Sequence, residues 1–525
     1  MLVKNGNGRL TLNTTKSDYT GATIINGGIV TVKELADGGM PSSLGAASSS
    51  ADNLQIGKAT LIINNSNTAT NRGITLTDTA TIQVTSGATA LKGIIKGNGM
   101  LVKSGSGQLN ITYGGTNPWS KGTRLDGGTL AMGSWNTTFG TATSKIIVNG
   151  NSTIRIFDNN STSQVPTLNN HVEILKGKTL TIAGGQRCKI QGILTGEGTL
   201  KISFPYVRGD VSTNMSGFTG TYHVTSGQLR LVSATDLSKA TLKLDAGIYV
   251  AHYKSQDKTE QNLTTMIGAL ESSATDCTFS TGTYNVGYLG TDNTFAGVFN
   301  QSATLNKYGD GELSLSGASQ CRININGGSI VASNTSTATT TGLITVNNGG
   351  TLAGIRKTAS VVVNKGGIIT SGRTSYTVGT ITLDGTLNVK EGGILYIRAR
   401  GTSTIRNDAF NVSGNITLNS PTFRIERVSG EYADGDEIKI FKGKGVINLS
   451  GEPVLEPAIP APGYKWDTST LATDGTIRVL VDPTGIEEVE TDNPDKAVIY
   501  DLSGRKINKI ESHGVYIING KKVVK

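Results

Sequence analysis

Four histidines, His171, His223, His252 and His513, are the side chains most able to bind a metal or move a proton. They are scattered and form no HExxH pair, so each reads as a surface or turn residue and not as a ligand. The three cysteines, Cys188, Cys277 and Cys321, are odd in number, far apart and without CxxC spacing. They predict neither a disulfide framework nor a zinc site, only small residues of turns or core. No Gly-x-Ser-x-Gly elbow and no Gly-x-x-x-x-Gly-Lys-[Ser/Thr] loop occurs. A Gly-x-Gly does recur, but it lacks a third glycine and opens a strand, so it makes no phosphate cradle. The densest acidic group, Asp434-Gly435-Asp436-Glu437, reads as a charged turn before it reads as a calcium or catalytic site. No catalytic, cofactor-binding or metal-ligating residue is assigned. An active site assembled from carboxylates distant in sequence stays open at this level.

Composition describes the elements that would have to carry any site. Glycine supplies 69 of 525 residues, charged residues are 17%, aromatics 5% and hydrophobic residues 36%. A compact globule of this length carries more large apolar side chains, and average domains are about 25% charged. Disorder calls for few β-branched residues, whereas Thr, Ile and Val are plentiful here. A repetitive all-β chain with thin cores and many glycine turns fits these values. No apolar run reaches the roughly 18 residues of a membrane span, and the polar start Lys4-Asn5-Gly6 is not a signal peptide. The net charge of +9 is spread without the Lys/Arg clusters of a nucleic-acid face. It permits weak attraction to anionic glycans or surfaces.

Repetition is the dominant signal. Leu2-Val3-Lys4-Asn5-Gly6-Asn7-Gly8-Arg9-Leu10-Thr11-Leu12 returns as Leu101 to Ile111, more loosely as Leu305 to Leu315, and in part as Gly196 to Ile202. A second cassette follows each copy: Asn26-Gly27-Gly28, Asp126-Gly127-Gly128, Asn326-Gly327-Gly328, and Ser226-Gly227 after the copy at Gly196. Further cassettes stand at Asn348-Gly349-Gly350, Lys365-Gly366-Gly367 and Glu391-Gly392-Gly393. Asn-Gly and Gly-Gly supply the positive φ angles of tight turns. The residues that follow alternate apolar and polar, as a half-buried strand does. Such turns also suit antiparallel hairpins. Spacings of about one β-solenoid coil, and likeness kept over hundreds of residues, favour stacked coils. Met1 falls inside a repeat, not before one, which leads us to expect that the natural chain extends upstream.

Gly-x-Gly-x-Leu-x-Leu, then aromatic-[Ser/Thr]-Gly, then Thr-x-x-x-Gly-Gly resembles the autotransporter-associated β-strand repeat. Tyr19-Thr20-Gly21, Trp119-Ser120 and Phe218-Thr219-Gly220 supply the aromatic steps. The resemblance covers Met1 to about Ile397. It implies a secreted or surface-exposed right-handed parallel β-helix. Autotransporters end in a membrane barrel, and nothing near Lys525 looks like a set of barrel strands.

After residue 400 the cassettes fade. Phe423-Arg424-Ile425-Glu426-Arg427-Val428 and Glu437 to Phe441 read as alternating strands, and 401–482 reads as terminal coils with a β cap over the solenoid end. Residues 483–496 form an acidic, proline-containing linker. From Ala497 the chain holds Tyr500-Asp501-Leu502-Ser503-Gly504-Arg505, then Gly514-Val515-Tyr516-Ile517, then a Lys-rich end. This small β-sandwich-like tail resembles the carboxyl-terminal sorting domain of the Bacteroidetes type IX secretion route. The resemblance makes Asp501, Leu502, Ser503, Gly504, Arg505, Gly514 and Tyr516 sorting-signal candidates and the secretion machinery a partner.

The expected architecture is therefore a parallel β-helix over 1–400, with cap, linker and tail behind it. The expected function is an extracellular or outer-surface protein, adhesin-like or structural, non-catalytic, with glycans or host and cell-surface molecules as partners. No nucleic acid, membrane span or cofactor is expected. The alternative is a β-helix lyase or glycoside hydrolase acting on an acidic glycan, for which clustered carboxylates on neighbouring coils would be the sign. An exposed face of Thr, Ser, Asn and Gly would favour the scaffold.

Overall fold

The computed structural model describes residues 1–525 apart from 65–66, 142–143, 185, 205–207, 333–340, 355–356, 373–377, 402–404, 483–497, 508, 511–513, 519–520 and 525. The predicted linker and His513 lie outside the described residues.

The chain winds into a parallel β-helix. Its longest face runs through 18 strands, from Thr68–Thr70 to Ile447–Ser450, each parallel to the next. A second parallel face runs from Leu2–Lys4 to Asn214–Phe218. A third parallel sheet runs from Thr167–Leu168 to Val298–Phe299, and a fourth from Asn293–Phe295 to Val454–Glu456; Asn293–Phe295 and Val298–Phe299 follow each other in one coil, so these two sheets lie on different faces. Coil length is uneven: Ile344 pairs with Val361, 17 residues on, and Ile416 with Ile447, 31 on. Parallel strands lie about 4.8 Å apart, so 17 steps along the long face span about 80 Å. The molecule exposes 22,797 Å², against about 18,000 Å² for a compact monomer of this mass. The excess is what an elongated rod requires.

Alternation explains the core. On the long face Leu109, Leu130, Ile154, Ile182, Ile202 and Val224 all point inward and are buried. Each rests on its counterparts one coil above and below, so small aliphatic side chains suffice. The few aromatics stack in the same way, with Phe279 lying 4.7 Å from Phe299, ring to ring. Outward positions on this face are polar. Thr179, Thr199, Thr221 and Thr241 stand in register, and Asn285, Asn306 and Asn324 form an amide ladder with 2.7 Å hydrogen bonds.

Rungs continue past residue 400 to Val454–Glu456. The end is closed by an antiparallel sheet of Glu437–Lys439, Tyr464–Asp467 and Thr476–Val481, with the short helix Leu471–Asp474. Ile438, Ile440, Phe441, Leu471 and Ile477 join the rod core there. Asp434-Gly435-Asp436-Glu437 is a turn in this cap. Asp434 accepts from Val481 N at 2.8 Å, Asp436 from Ala433 N at 2.8 Å, and Glu437 pairs with Arg478 at 2.9 Å.

Candidate functional site

The repeated residues make a lock between coils. In the first copy Lys4 Nζ donates to Asn5 O, Gly6 O and Gly27 O at 2.7, 2.9 and 3.1 Å. Lys103 makes the same three contacts with Ser104, Gly105 and Gly127, at the same distances. Lys307 does so with Tyr308, Gly309 and Gly327, at 2.7, 3.0 and 3.4 Å. In each case two carbonyls belong to the Gly-x-Gly turn and the third to the Gly-Gly cassette of the next coil. Gly28, Gly128 and Gly328 all have φ between 57° and 70°. A Cβ on Gly128 would lie 2.2 Å from Gly105 O and 2.6 Å from Gly107 O, and the other two copies are as tight. The two cassettes are therefore halves of one contact. Lys103 and Lys307 are buried, and burial pulls their pKa from 10.5 down to about 8. The copy at Gly196 differs: Leu194 stands where the lock lysine would be, and Gly220, not the expected Gly227, stacks on Gly198 O.

The isolated chemical residues are structural. Cys188, Cys277 and Cys321 are free and buried, and burial raises the thiols of Cys188 and Cys321 to about 12. His223 lies 2.8 Å from Asp245. His252 corrects the expectation of a surface or turn residue. It is fully buried, its Nε2 is 2.8 Å from Thr265 Oγ1, and burial lowers its pKa. The alternation around it gave no signal that distinguishes an inward histidine. Among the described residues no group of three or more His, Cys, Asp or Glu is placed to hold a metal.

A groove of about 740 Å³ lies on the fourth sheet near the capped end. Register builds it. Glu312, Ser329, Thr351 and Ile368 follow one another on successive rungs. Tyr396, Arg424 and Glu456 form a second such row. Val331, Ala353 and Thr370 complete the floor. Charged groups on the wall are held by one another. Arg424 Nε is 2.8 Å from Glu456, and Tyr396 donates its hydroxyl to Glu426. Burial, then Glu426, raises the Tyr396 phenol to about 12. Arg398 is buried beneath and meets Asp408 through Nε at 2.7 Å and Nη2 at 3.2 Å. The reading of Phe423 to Val428 as an alternating strand placed Arg424 and Glu426 on one face. It could not show which coils face them.

The sorting-signal candidates fall in a four-stranded antiparallel sheet: Lys506–Ile507, Ile499–Tyr500, Val515–Ile518, Lys521–Val524. Five of them, Asp501 to Arg505, share one hairpin turn. Asp501 Oδ1 accepts from the Ser503 and Arg505 amides at 3.0 Å, and its Oδ2 from Arg505 Nε at 3.1 Å. These bonds, the Arg505 amide first, lower the Asp501 pKa. Gly504 takes φ 77° and Leu502 is exposed. Tyr516 is buried on the second hairpin, with Gly514 against its ring.

Comparison with known proteins agrees with the coil-to-coil lock. Residues 2–32 and 101–132 match the passenger-associated-transport-repeat family. These segments contain the Lys4 and Lys103 locks entire. A curated relative, described as the adhesin BmaC autotransporter of Brucella suis biovar 1 (strain 1330), is 41% identical over 128 residues. That stretch is 24% of this chain and 4% of the relative, so the match spans a small part of that protein. No helix among the described residues is long and apolar enough to cross a membrane.

Proposed function

We propose that this chain is an extracellular or cell-surface adhesin-like rod that presents repetitive faces to glycans or other surface molecules. The observation that carries the reading is the passenger-type repeat itself, folded as one continuous stack of coils whose long face is Thr and Asn. A polar, ladder-bonded surface suits exposure outside the cell and contact with other surfaces. The glycan-cleaving alternative finds no support. Glu312, Glu426 and Glu456 do line one groove, but Tyr396 holds Glu426 and Arg424 holds Glu456. Purified protein coated on beads should retain cells carrying the cognate surface, and an uncoated control should not. Equal retention by both would refute the adhesive role.

The tail, on this reading, is a sorting module of the type IX kind, with the Asp501–Arg505 turn and the Gly514–Tyr516 strand as its recognition elements. Deleting Ala497 to Lys525 in the source bacterium should retain the protein inside the envelope while the rod's thermal midpoint stays unchanged. Normal surface arrival of the truncated chain would refute the sorting role.

A further inference from the structure

We propose that the groove on the fourth sheet binds an uncharged linear glycan lying along the rod axis. The proposal rests on the adhesin reading and names the ligand class for one site. From Glu312 to Glu456 the groove crosses seven rungs, so it is about 29 Å long. Its volume of about 740 Å³ is in the range of ligand clefts. An extended oligomer, not a compact metabolite, matches that shape.

The lining selects the chemistry. Ile368, Val331 and Ala353 give an apolar floor, and the Tyr396 ring gives the aromatic surface against which the C–H face of a sugar packs. Ser329 and Thr351 present partly exposed hydroxyls on successive rungs. Thr370 is 5% exposed and its Oγ1 has no hydrogen-bond partner. Buried polar groups are nearly always paired, so an orphan in a groove floor points to a missing partner. One χ1 rotation exchanges this hydroxyl with its methyl and offers it to a bound chain.

Charge decides between neutral and acidic ligands. Both guanidiniums among the described lining residues are already engaged, Arg398 by Asp408 and Arg424 by Glu456. Neither is free for a uronate or sulfate, and the Glu426 carboxylate would repel one. A peptide is disfavoured because every strand along the groove except the terminal Val454–Glu456 is paired on both sides, leaving no backbone edge along its length to extend.

The test uses the full chain with linear oligomers of glucose, mannose and N-acetylglucosamine, and with oligogalacturonate as the acidic comparison, read by calorimetry. At least one neutral oligomer of four or more rings should bind, and oligogalacturonate should bind at least tenfold more weakly. Thr351→Trp, which fills the groove, should weaken neutral binding at least tenfold. Thr370→Val should weaken it about fivefold, as loss of one hydrogen bond does, with an unchanged or higher thermal midpoint. No neutral binding, tighter acidic binding, or an unchanged affinity in both variants would overturn the proposal. Cell retention separates the two readings. Beads that hold cells equally well with Thr351→Trp leave the adhesin reading standing and remove the groove from it. Neutral-oligomer binding lost in Thr351→Trp, with no retention of cells by the wild-type rod, leaves the groove and removes the adhesin.

Discussion

Replacing Lys103 by Met tests whether the repeated lysine holds adjacent coils together. Lys103 is fully buried, and its ammonium meets three carbonyls at 2.7 to 3.1 Å. Burial lowers its pKa from 10.5 to about 8, so desolvation opposes the charge, but the amino group still donates to the carbonyls. Methionine keeps the packing and leaves these carbonyls without their donor, and each such loss costs about 1–3 kcal/mol. Because a solenoid unfolds by neighbouring repeats, the loss should be local. Asp126 N donates to Lys103 O and Thr129 N to Gly107 O, so these amides report the lock. Their hydrogen exchange should accelerate roughly a hundredfold in Lys103→Met, while amides ten coils away stay unchanged. Lys4→Met is the control. Its geometry is the same, but Lys4 is only half-buried, so water replaces much of the lost donation and the effect should be smaller. Exchange as slow as wild type in Lys103→Met, or an equal effect from Lys4→Met, would refute the argument.

The same lysines predict a pH dependence. Below about pH 8 both folded and unfolded chains carry the proton, and the desolvation cost is present in full. Between about 8 and 10.5 only the unfolded chain keeps it, so stability rises with pH through that window. The thermal midpoint should therefore be higher at pH 9.5 than at 7.5, and Lys103→Met/Lys307→Met should lose most of that increment. Gly128→Ala should cost at least about 2 kcal/mol, because it strains a positive φ and drives a methyl into Gly105 O; slow exchange at Thr129 in this variant would contradict it. Asp408→Asn should cost about 3–5 kcal/mol by leaving Arg398 buried without its counter-charge, and an unchanged thermal midpoint would show that the pair does not hold this end of the rod.

The fold was legible because a solenoid repeats its local rules. Gly-x-Gly turns and alternating strands recur at one-coil spacing, and each inward Leu or Ile needs only its counterpart above and below. What escaped was whatever depends on which coil faces which. His252 looks like any other strand residue until its neighbours Thr265 and Tyr284 are in place. The Arg398–Asp408 pair spans ten residues, yet it forms only because the chain doubles back there, with Gly372 leaving room for the guanidinium. The groove is invisible for the same reason. Its rows draw one residue from each of several coils, 17 to 32 residues apart, and nothing in any single coil marks them.

The lysine lock also accounts for the form of the repeat. If the two glycine cassettes were independent turns, their separation could drift freely and either could be lost alone. They are instead one contact: the lysine bridges both, and the second glycine of the later cassette must lack a Cβ to let the earlier turn's carbonyls approach. Wherever lysine is kept, at Lys4, Lys103 and Lys307, the three-carbonyl geometry is kept with it, although only the first two lie in segments that match the repeat family. Where lysine is absent, before Gly196, the partner changes and the stacking passes to Gly220. Lysine and paired glycines therefore constrain one another across a whole coil. That constraint acts on a handful of atoms and leaves the intervening residues free to vary in number and kind. A rod built this way can keep its backbone stack while its outward faces diverge.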